Sequence, residues 1–462
     1  MERSSSATPH FLFVTTPMQG HINPARRLAA RVLASTPNAR VTFSTAISGH
    51  RLMFPSLPTP EAETVDDAGV LYAPYSDGFD DGFNRETHGR DTYKERSRTF
   101  GRDTLSAVVA GLAARGRPVT RMVYAFLVPW AAHVAHAHGV SAALYWIQPA
   151  AVFAVYYRYF HGHGALIASS FAKDDAVELP GMPPLRSSDL PSVVSITSPD
   201  HPHYLLLDMM RDLFAALDEY RPTVVLVNTF DALEPGELRA VPEFELVAVG
   251  PVVPDDEVAP SSADLFRRED DATAYMEWLD TKPARSVVYV SFGTVFSMSK
   301  RQEEETRRGL EATGRPYLWV GRKGDGGGGE QDVNGVVLEW CDQVKVLSHP
   351  AVGCFVTHCG WNSTLESVTR GVPMVAVPQW TDQPTVAWLA EERMGVAVRA
   401  RVYGDGVVER GELQRCVDMV MGDGEAASGI RAQADCWMAR ANEAIAGGGT
   451  SERNLRAFAS EL

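Results

Sequence analysis

Short apolar runs rich in β-branched and aromatic residues recur along this chain, and each is followed by a longer segment of helical periodicity. They fall at residues 11–16, 40–44, 122–126, 142–146, 223–229 and 244–249, then again at 286–292, 317–320, 353–357, 374–378 and 396–400. Alternation of this kind predicts parallel sheets covered by helices. A chain of 462 residues is long for one domain, so two are expected. Between the two series lies Gly250-Pro251-Val252-Val253-Pro254, then an acidic stretch containing Ser and Pro that ends near Asp271. The predicted division is a first domain over residues 1–250, a linker over 251–271, a second domain over 272–440 and a final helical segment over 441–462.

Residues 340–383 carry the densest chemistry. The run Gly353-Cys354-Phe355-Val356-Thr357 reads as a buried strand. His358-Cys359-Gly360-Trp361 is the turn after it. A helix then begins at Asn362 or Ser363, runs to about Arg370 and stops at Gly371, a C-terminal cap. Such a turn delivers the N–H groups and positive dipole end of a helix start to one point, which makes an anion site. His358, Asn362 and Ser363 add side-chain donors. Ser363 and Glu366 also have the spacing of a capping box, which would be purely structural. Farther on, Asp382 and Gln383 precede Pro384, a good first helical residue, in a helix that runs to Met394 with Gly395 behind it. A carboxylate beside an amide can grip adjacent sugar hydroxyls, or it can simply cap that helix.

Over its full length this stretch resembles the sugar-nucleotide signature box of plant UDP-dependent glycosyltransferases. The resemblance extends to Pro17-Met18-Gln19-Gly20-His21-Ile22-Asn23-Pro24, Leu190-Pro191-Ser192, Val227-Asn228-Thr229-Phe230 and Ser291-Phe292-Gly293-Thr294. It implies the GT-B architecture, α/β, with two Rossmann-like domains facing across a cleft. The first would bind the acceptor and the second the UDP-sugar, with the final helix folding back toward the first. By resemblance Trp340 stacks on uracil, the Cys341 main chain and Gln343 contact base and ribose, and Glu366 holds the ribose hydroxyls. His358, Asn362, Ser363 and Thr294 hold the diphosphate. Trp361, Asp382 and Gln383 face the sugar, and Gly20 joins the donor-binding set. No metal and no cofactor beyond the donor substrate is expected.

His21 is the family's catalytic base by the same resemblance. It follows the first strand and precedes a helix expected to begin at Asn23 and Pro24. A helix start disfavours a protonated ring, and a neutral imidazole in a cleft is suited to take a proton from a hydroxyl. The family commonly pairs this histidine with an aspartate from a later segment. Here that segment is Val123-Tyr124-Ala125-Phe126-Leu127-Val128-Pro129-Trp130, and Ala125 holds the expected position. Three explanations stay open. Either an aspartate of Asp77-Gly78-Phe79-Asp80-Asp81 substitutes, or the acceptor ionises without much help, or transfer is impaired.

The net charge of −15 argues against nucleic acid or an anionic membrane as partner, though not against a phosphate ligand held by a helix start. Five cysteines do not make a disulfide framework and fit a reducing cytosol. Cys354, His358 and Cys359 lack paired zinc-ligand spacing, and His133, His136 and His138 read as decoration of a helix. No leader peptide or membrane span is expected, and the glycine-rich run 324–329 reads as a surface loop. The expected protein is a cytoplasmic, monomeric, inverting UDP-glucose-dependent transferase acting on a small apolar acceptor. Phe79, Phe126, Trp146, Tyr156 and Tyr157 are candidates to line the acceptor pocket or to fill the core. The N-terminal half resembles the group containing anthocyanin 5-O-glucosyltransferases and the indole-acetate and crocetin glucosyltransferases, through Tyr75-Ser76-Asp77-Gly78-Phe79 and Trp146-Ile147-Gln148. Another UDP-sugar donor, or a non-catalytic nucleotide-sugar-binding protein, is the competing reading.

Overall fold

The computed structural model describes residues 8–173, 175–222, 224–254, 272–293, 298–321, 334–402, 404 and 406–460. Most of the expected linker and the run 324–329 lie outside these residues. The chain forms two compact units: Met1–Ser187, Val193–Arg267 and Ala444–Leu462 make one, and Ser188–Ser192 with Arg268–Glu443 make the other. The short piece Ser188–Ser192 therefore belongs to the second unit, although it lies inside the span 1–250 expected for the first.

The first unit is built on strands β1 (His10–Thr15), β2 (Arg40–Thr45), β3 (Thr64–Val65), β4 (Leu71–Tyr72), β5 (Arg121–Ala125) and β6 (Ser141–Trp146). A small hairpin, β7 (Ala176–Val177) with β8 (Leu185–Arg186), precedes β9 (Val224–Val227) and β10 (Leu246–Ala248). The 8-stranded sheet has the order β10-β9-β6-β5-β1-β2-β4-β3 and is parallel except at the edge pair β3–β4. Every residue of β1 is buried, as a strand covered by helices on both faces must be. After β1, a helix spans Gln19–Ser35 and buries Ile22, Ala25, Leu28, Ala29 and Val32, a stripe of helical period. It starts four residues before Asn23, so Asn23 and Pro24 are internal rather than cap and first residue. Pro24, the sixth residue of the helix, has no N–H, so the helix gives up one main-chain bond there.

The last helix, Thr450–Ser460, packs on this same unit through Ser451, Leu455, Phe458 and Ala459. Ser451 Oγ donates to the Gly250 carbonyl at 2.5 Å, and Asn454 donates to the Ala248 carbonyl at 2.9 Å. The Arg121 guanidinium donates to the Phe458 carbonyl and lies 4.6 Å over the Phe458 ring.

The second unit contains β11 (Val287–Ser291), β12 (Tyr317–Val320), β13 (Gly335–Leu338), β14 (Val352–Thr357), β15 (Met374–Ala376) and β16 (Ala397–Arg399). Its sheet is parallel throughout, in the order β13-β12-β11-β14-β15-β16. Counted from its own first strand, this is the 3-2-1-4-5-6 order of dinucleotide-binding folds. Val288, Val290, Cys354, Val356 and Val375 face Leu310, Leu413, Val417 and Val420 in one core.

In each unit the chain leaves the central strands in opposite directions, which opens a crevice at their carboxyl ends. In the first unit the crevice lies between β1 and β5, and in the second between β11 and β14.

Removing the anchor of the last helix should be costly. Phe458→Ala is expected to destabilise the first unit by about 3–5 kcal/mol, the usual range for a buried phenylalanine. Urea unfolding followed by tryptophan fluorescence checks this, and an unchanged midpoint would show that the helix contributes little to the core.

Candidate active site

The β11–β14 crevice is built from two turns. β11 runs into Phe292 and Gly293, and Gly293 adopts φ +75°. β14 runs into His358, Cys359 and Gly360 before the helix Trp361–Thr369. A Cβ on Gly293 would lie 2.9 Å from the His358 ring, and one on Gly360 would lie 2.6 Å from its Nε2. Two bare backbones thus flank the imidazole, and no side chain larger than hydrogen fits at either place. Cys359 is held at φ +63°, a conformation that disfavours a non-glycine residue; its N–H donates to Thr357 Oγ1 at 3.2 Å.

The helix begins at Trp361, earlier than the sequence suggests, with Gly360 at the cap position. The capping box that the Ser363–Glu366 spacing allows is not formed, because the cap position is Gly360. Gln343 Nε2 instead donates to Ser363 Oγ at 2.9 Å and to Glu366 Oε2 at 2.7 Å. Tyr289 donates its hydroxyl to Gln343 Oε1 at 3.2 Å. Gln343 opens the helix Gln343–Ser348, whose cap, Asp342, accepts from the Lys345 N–H at 3.2 Å. Trp340 is half-buried just before that cap, and Cys341 is buried. Cys341, whose Sγ lies 3.4 Å from the Tyr289 hydroxyl, Gln343, Ser363 and Glu366 therefore belong to one network with Tyr289. Tyr289 has no signal in the sequence beyond its strand. Thr294 lies outside the described residues.

Asp382 and Gln383 are buried at the start of the helix Gln383–Trp388. Gln383 Oε1 accepts from the main-chain N–H groups of Gln379 at 2.9 Å and Trp380 at 3.1 Å. The carbonyl oxygen of the amide is thus committed to the turn. Trp361, the first residue of its helix, is buried as well.

In the first unit, His21 stands in the first turn of its helix, with Nδ1 buried and without a hydrogen-bond partner. Its ring lies 4.9 Å from that of Phe126, the residue directly after Ala125. The segment from which an aspartate was expected therefore does reach His21, but it reaches it with the Phe126 ring, and Ala125 has no carboxylate to offer. The three alternative aspartates are engaged elsewhere. Asp77 accepts from the Phe79 N–H at 2.9 Å, Asp80 from the Ser76 hydroxyl at 2.7 Å, and Asp81 pairs with Arg51 at 3.0 Å. With burial as its only cause, the His21 pKa drops to about 3. Burial likewise lowers His358 to about 4 against a smaller opposing effect of the Ser291 main chain. Both rings are neutral near pH 7.

The aromatic candidates divide. Phe126 touches the His21 ring and lies 5.0 Å from Trp146. Trp146 and Tyr156 are 0% and 1% exposed, and the Trp146 N–H is spent on the Pro149 carbonyl at 2.9 Å. These two are core residues behind Phe126, not pocket lining, because their polar and apolar surfaces are already used. Tyr157 is also buried and stacks 4.1 Å from His161. Phe79 packs with Phe83, His88 and Tyr93 under the Arg96 guanidinium. At Gly20 a Cβ would meet nothing within 4 Å. Glu234 is a further residue that sequence reasoning does not find. Its carboxylate accepts from the Ala150 and Ala151 N–H groups at 3.0 and 2.8 Å, capping a helix more than 80 positions away, and burial raises its pKa to about 7.

Comparison with known proteins decides the family. Residues 261–421 match the family described as UDP-glucoronosyl and UDP-glucosyl transferase. The chain is 42% identical to UDP-glycosyltransferase 75C1 of Solanum lycopersicum, over 98% of each chain. It is 41% identical to the chloroplastic crocetin glucosyltransferase of Gardenia jasminoides, over 98% of this chain and 97% of the relative. The chain belongs to the UDP-glycosyltransferase family. Its fold is the GT-B fold of two Rossmann-like domains; the crystal structure of Os79 from O. sativa in complex with UDP superposes with a TM-score of 0.82 at 32% identity, covering 97% of this chain and 99% of Os79. Among the described residues, no cluster of three or more His, Cys, Asp or Glu has the arrangement to hold a metal ion, and no helix is long and apolar enough to cross a membrane. All five cysteines are unpaired, and Cys354 sits inside β14.

The neutral histidines carry a pH signature. Unfolding returns each ring to about 6.5, so below that value the unfolded chain binds protons that the native chain does not. Stability should therefore fall as pH falls, by on the order of 2 kcal/mol per ring between pH 7 and pH 5. His21→Gln should lose less stability across that interval than the parent protein. Urea titrations at the two pH values measure it, and an undiminished loss would mean that His21 is already protonated in the native state.

Proposed function

We propose that this transferase moves glucose from UDP-glucose to a small apolar acceptor with inversion, and that its acceptors are carboxylic acids or acidic phenols. The observation that carries the acceptor class is the His21 ring, whose Nδ1 faces no carboxylate. Relatives support the donor and the range of acceptors: a crocetin glucosyltransferase, and a phloretin 4'-O-glucosyltransferase of Malus domestica.

In this reading the crevice at β11 and β14 binds UDP. Trp340 stacks on uracil, while Gln343 and Glu366 exchange part of their mutual hydrogen bonding for the ribose. The diphosphate lies against His358, Asn362, Ser363 and the N-terminus of the helix Trp361–Thr369, where main-chain donors stabilise the charge that develops on the leaving group. Asp382, the Gln383 amide and Trp361 address the sugar. The acceptor oxygen attacks the anomeric carbon from the face opposite UDP, and the bond to the diphosphate oxygen breaks with its electron pair. A carboxylate brings an oxygen that has already lost its proton. A neutral hydroxyl must pass its proton to His21, creating an imidazolium in a buried place with no anion beside it. A side-chain carboxyl ionises near pH 4.3 and a phenol near pH 10, and aliphatic alcohols are weaker acids still, so the missing aspartate matters least for acids. The unpaired cysteines fit a cytosolic setting.

The same unpartnered histidine is what favours a non-catalytic nucleotide-sugar-binding protein. Release of UDP from UDP-glucose, measured with a panel of acids, phenols and alcohols, separates the two readings. Release that no acceptor accelerates would leave only binding. UDP-galactose and UDP-xylose in the same panel test the donor.

Two substitutions test the halves separately. Trp340→Ala should weaken UDP by about 1–3 kcal/mol, the value of base–aromatic stacking, whatever sugar is attached. Calorimetry with UDP alone reads it, and an unchanged affinity would reduce Trp340 to a packing residue. Ala125→Asp should raise transfer to an aliphatic alcohol by about tenfold or more and leave a carboxylic acid nearly unaffected, because an anion beside the ring stabilises the imidazolium. Initial rates for one alcohol, one phenol and one acid in both proteins decide this, with near-UV circular dichroism confirming that the variant is folded. Equal gains for all three would contradict the acceptor assignment.

A further inference from the structure

The segment Leu190-Pro191-Ser192 has no part in the roles above, yet its surroundings are specific. It lies in the first half of the sequence and belongs to the second unit. Asp189 anchors it. The Asp189 carboxylate, largely buried, meets Arg399 Nη1 at 2.6 Å, and Arg399 also contacts Glu391 at 3.3 Å. The Asp189 carbonyl accepts from Thr385 Oγ1 at 2.7 Å, inside the helix Gln383–Trp388.

Three residues later come two bonds to a single partner. The Ser192 N–H donates to the Thr381 carbonyl at 2.8 Å, and the Thr381 N–H donates to Ser192 Oγ at 2.7 Å. Thr381 has φ +57°. A β-branched residue avoids that region unless its surroundings impose it. In this conformation the Thr381 hydroxyl lies 2.8 Å from Asp382 Oδ1. The next residue, Gln383, holds the same turn from the other side through Gln379 and Trp380. The turn that carries Asp382 and Gln383 is thus clamped at Thr381 by Ser192.

We propose that Ser192 is a positioning residue for the sugar end of the donor site. By fixing Thr381 in the left-handed conformation, it aims the Asp382 carboxylate and the Gln383 amide at the hexose of the donor. This rests on the reading, given above, that Asp382 and Gln383 address the sugar. Epimeric hexoses differ in the direction of one hydroxyl, so a small rotation of the turn is enough to blur discrimination between them. UDP without a sugar makes no use of these two residues.

Ser192→Ala removes the acceptor of the Thr381 N–H and keeps the main-chain bond in the other direction. Calorimetry gives the Kd of UDP, and steady-state rates with one acceptor give KM and kcat for UDP-glucose and UDP-galactose. The expected outcome is a Kd for UDP within about twofold of the parent and a KM for UDP-glucose raised roughly tenfold, the effect of leaving one main-chain donor unsatisfied. The preference for glucose over galactose narrows, and Ser192→Thr, which keeps the hydroxyl, restores the parent values to within about threefold. Equal weakening of UDP and UDP-glucose would show a merely structural role and overturn the proposal, as would no change in either.

Asp382→Asn is measured alongside. If it alters KM and preference while Ser192→Ala does not, the positioning role fails and the assignment of Asp382 stands. If it alters neither, the assignment of Asp382 fails and the proposal falls with it. Should Ser192→Ala not fold, Ser192→Cys replaces it. A thiol sulfur is only a weak acceptor for the Thr381 N–H, so the same selective loss for UDP-glucose is expected. Unaltered kinetics in that variant would overturn the proposal.

Discussion

A doubly wound sheet with a parallel centre opens a crevice at its strand ends where neighbouring crossovers leave in opposite directions, and the placement of chemistry in this protein follows from that constraint. The second unit reaches that point between β11 and β14, where Gly293 and Gly360 leave room for one imidazole, His358. The first unit reaches it between β1 and β5, where the Phe126 ring closes over His21. In both units the strands supply rigidity and the residues just past their carboxyl ends supply function. Each crevice holds a histidine that burial keeps uncharged.

Uncharged rings suit a protein that handles anions while carrying a net charge of −15. Attraction for a diphosphate does not require lysines when a helix start and neutral donors converge on it. Where catalysis needs a ring that gains a proton, burial is a handicap unless an anion compensates it. At position 125 the compensating group is missing, and the aspartates 77, 80 and 81 have other partners. The proposed preference for acidic acceptors is a direct consequence of that imbalance.

Much of this was legible in the sequence because the signals were local. Apolar runs marked the sheet strands, and the glycine behind Arg370 marked a helix end. Boundaries shifted where local cues competed: Asn23 and Pro24 resemble a helix start, yet the helix Gln19–Ser35 has already begun, its apolar stripe at Ile22, Ala25 and Leu28 deciding the matter. Ser363 and Glu366 have capping-box spacing, yet Gln343, some 20 residues away, claims both side chains. The contacts that stayed hidden are long-range. Glu234 caps a helix from beyond 80 positions, and Ser192 reaches Thr381 across 189. No periodicity or spacing rule reports such pairs, because only the folded sheet brings them together. Trp146 and Tyr156 show the opposite difficulty: aromatic residues at strand ends and helix starts look alike whether they line a pocket or fill a core, and burial assigns these two to the core.

The assignment of acidic acceptors depends on His21 being neutral and without an anionic partner. The protonation state of its imidazole can be followed directly by nitrogen chemical shifts in protein labelled at histidine, with a His21→Gln variant identifying the signal. The ring should stay neutral through the range where an ordinary histidine titrates, near pH 6.5, and take up a proton only as pH approaches about 3 or the protein unfolds. A titration midpoint at or above pH 6.5 in the folded protein would contradict it, since only a nearby anion could hold the buried ring's proton that firmly.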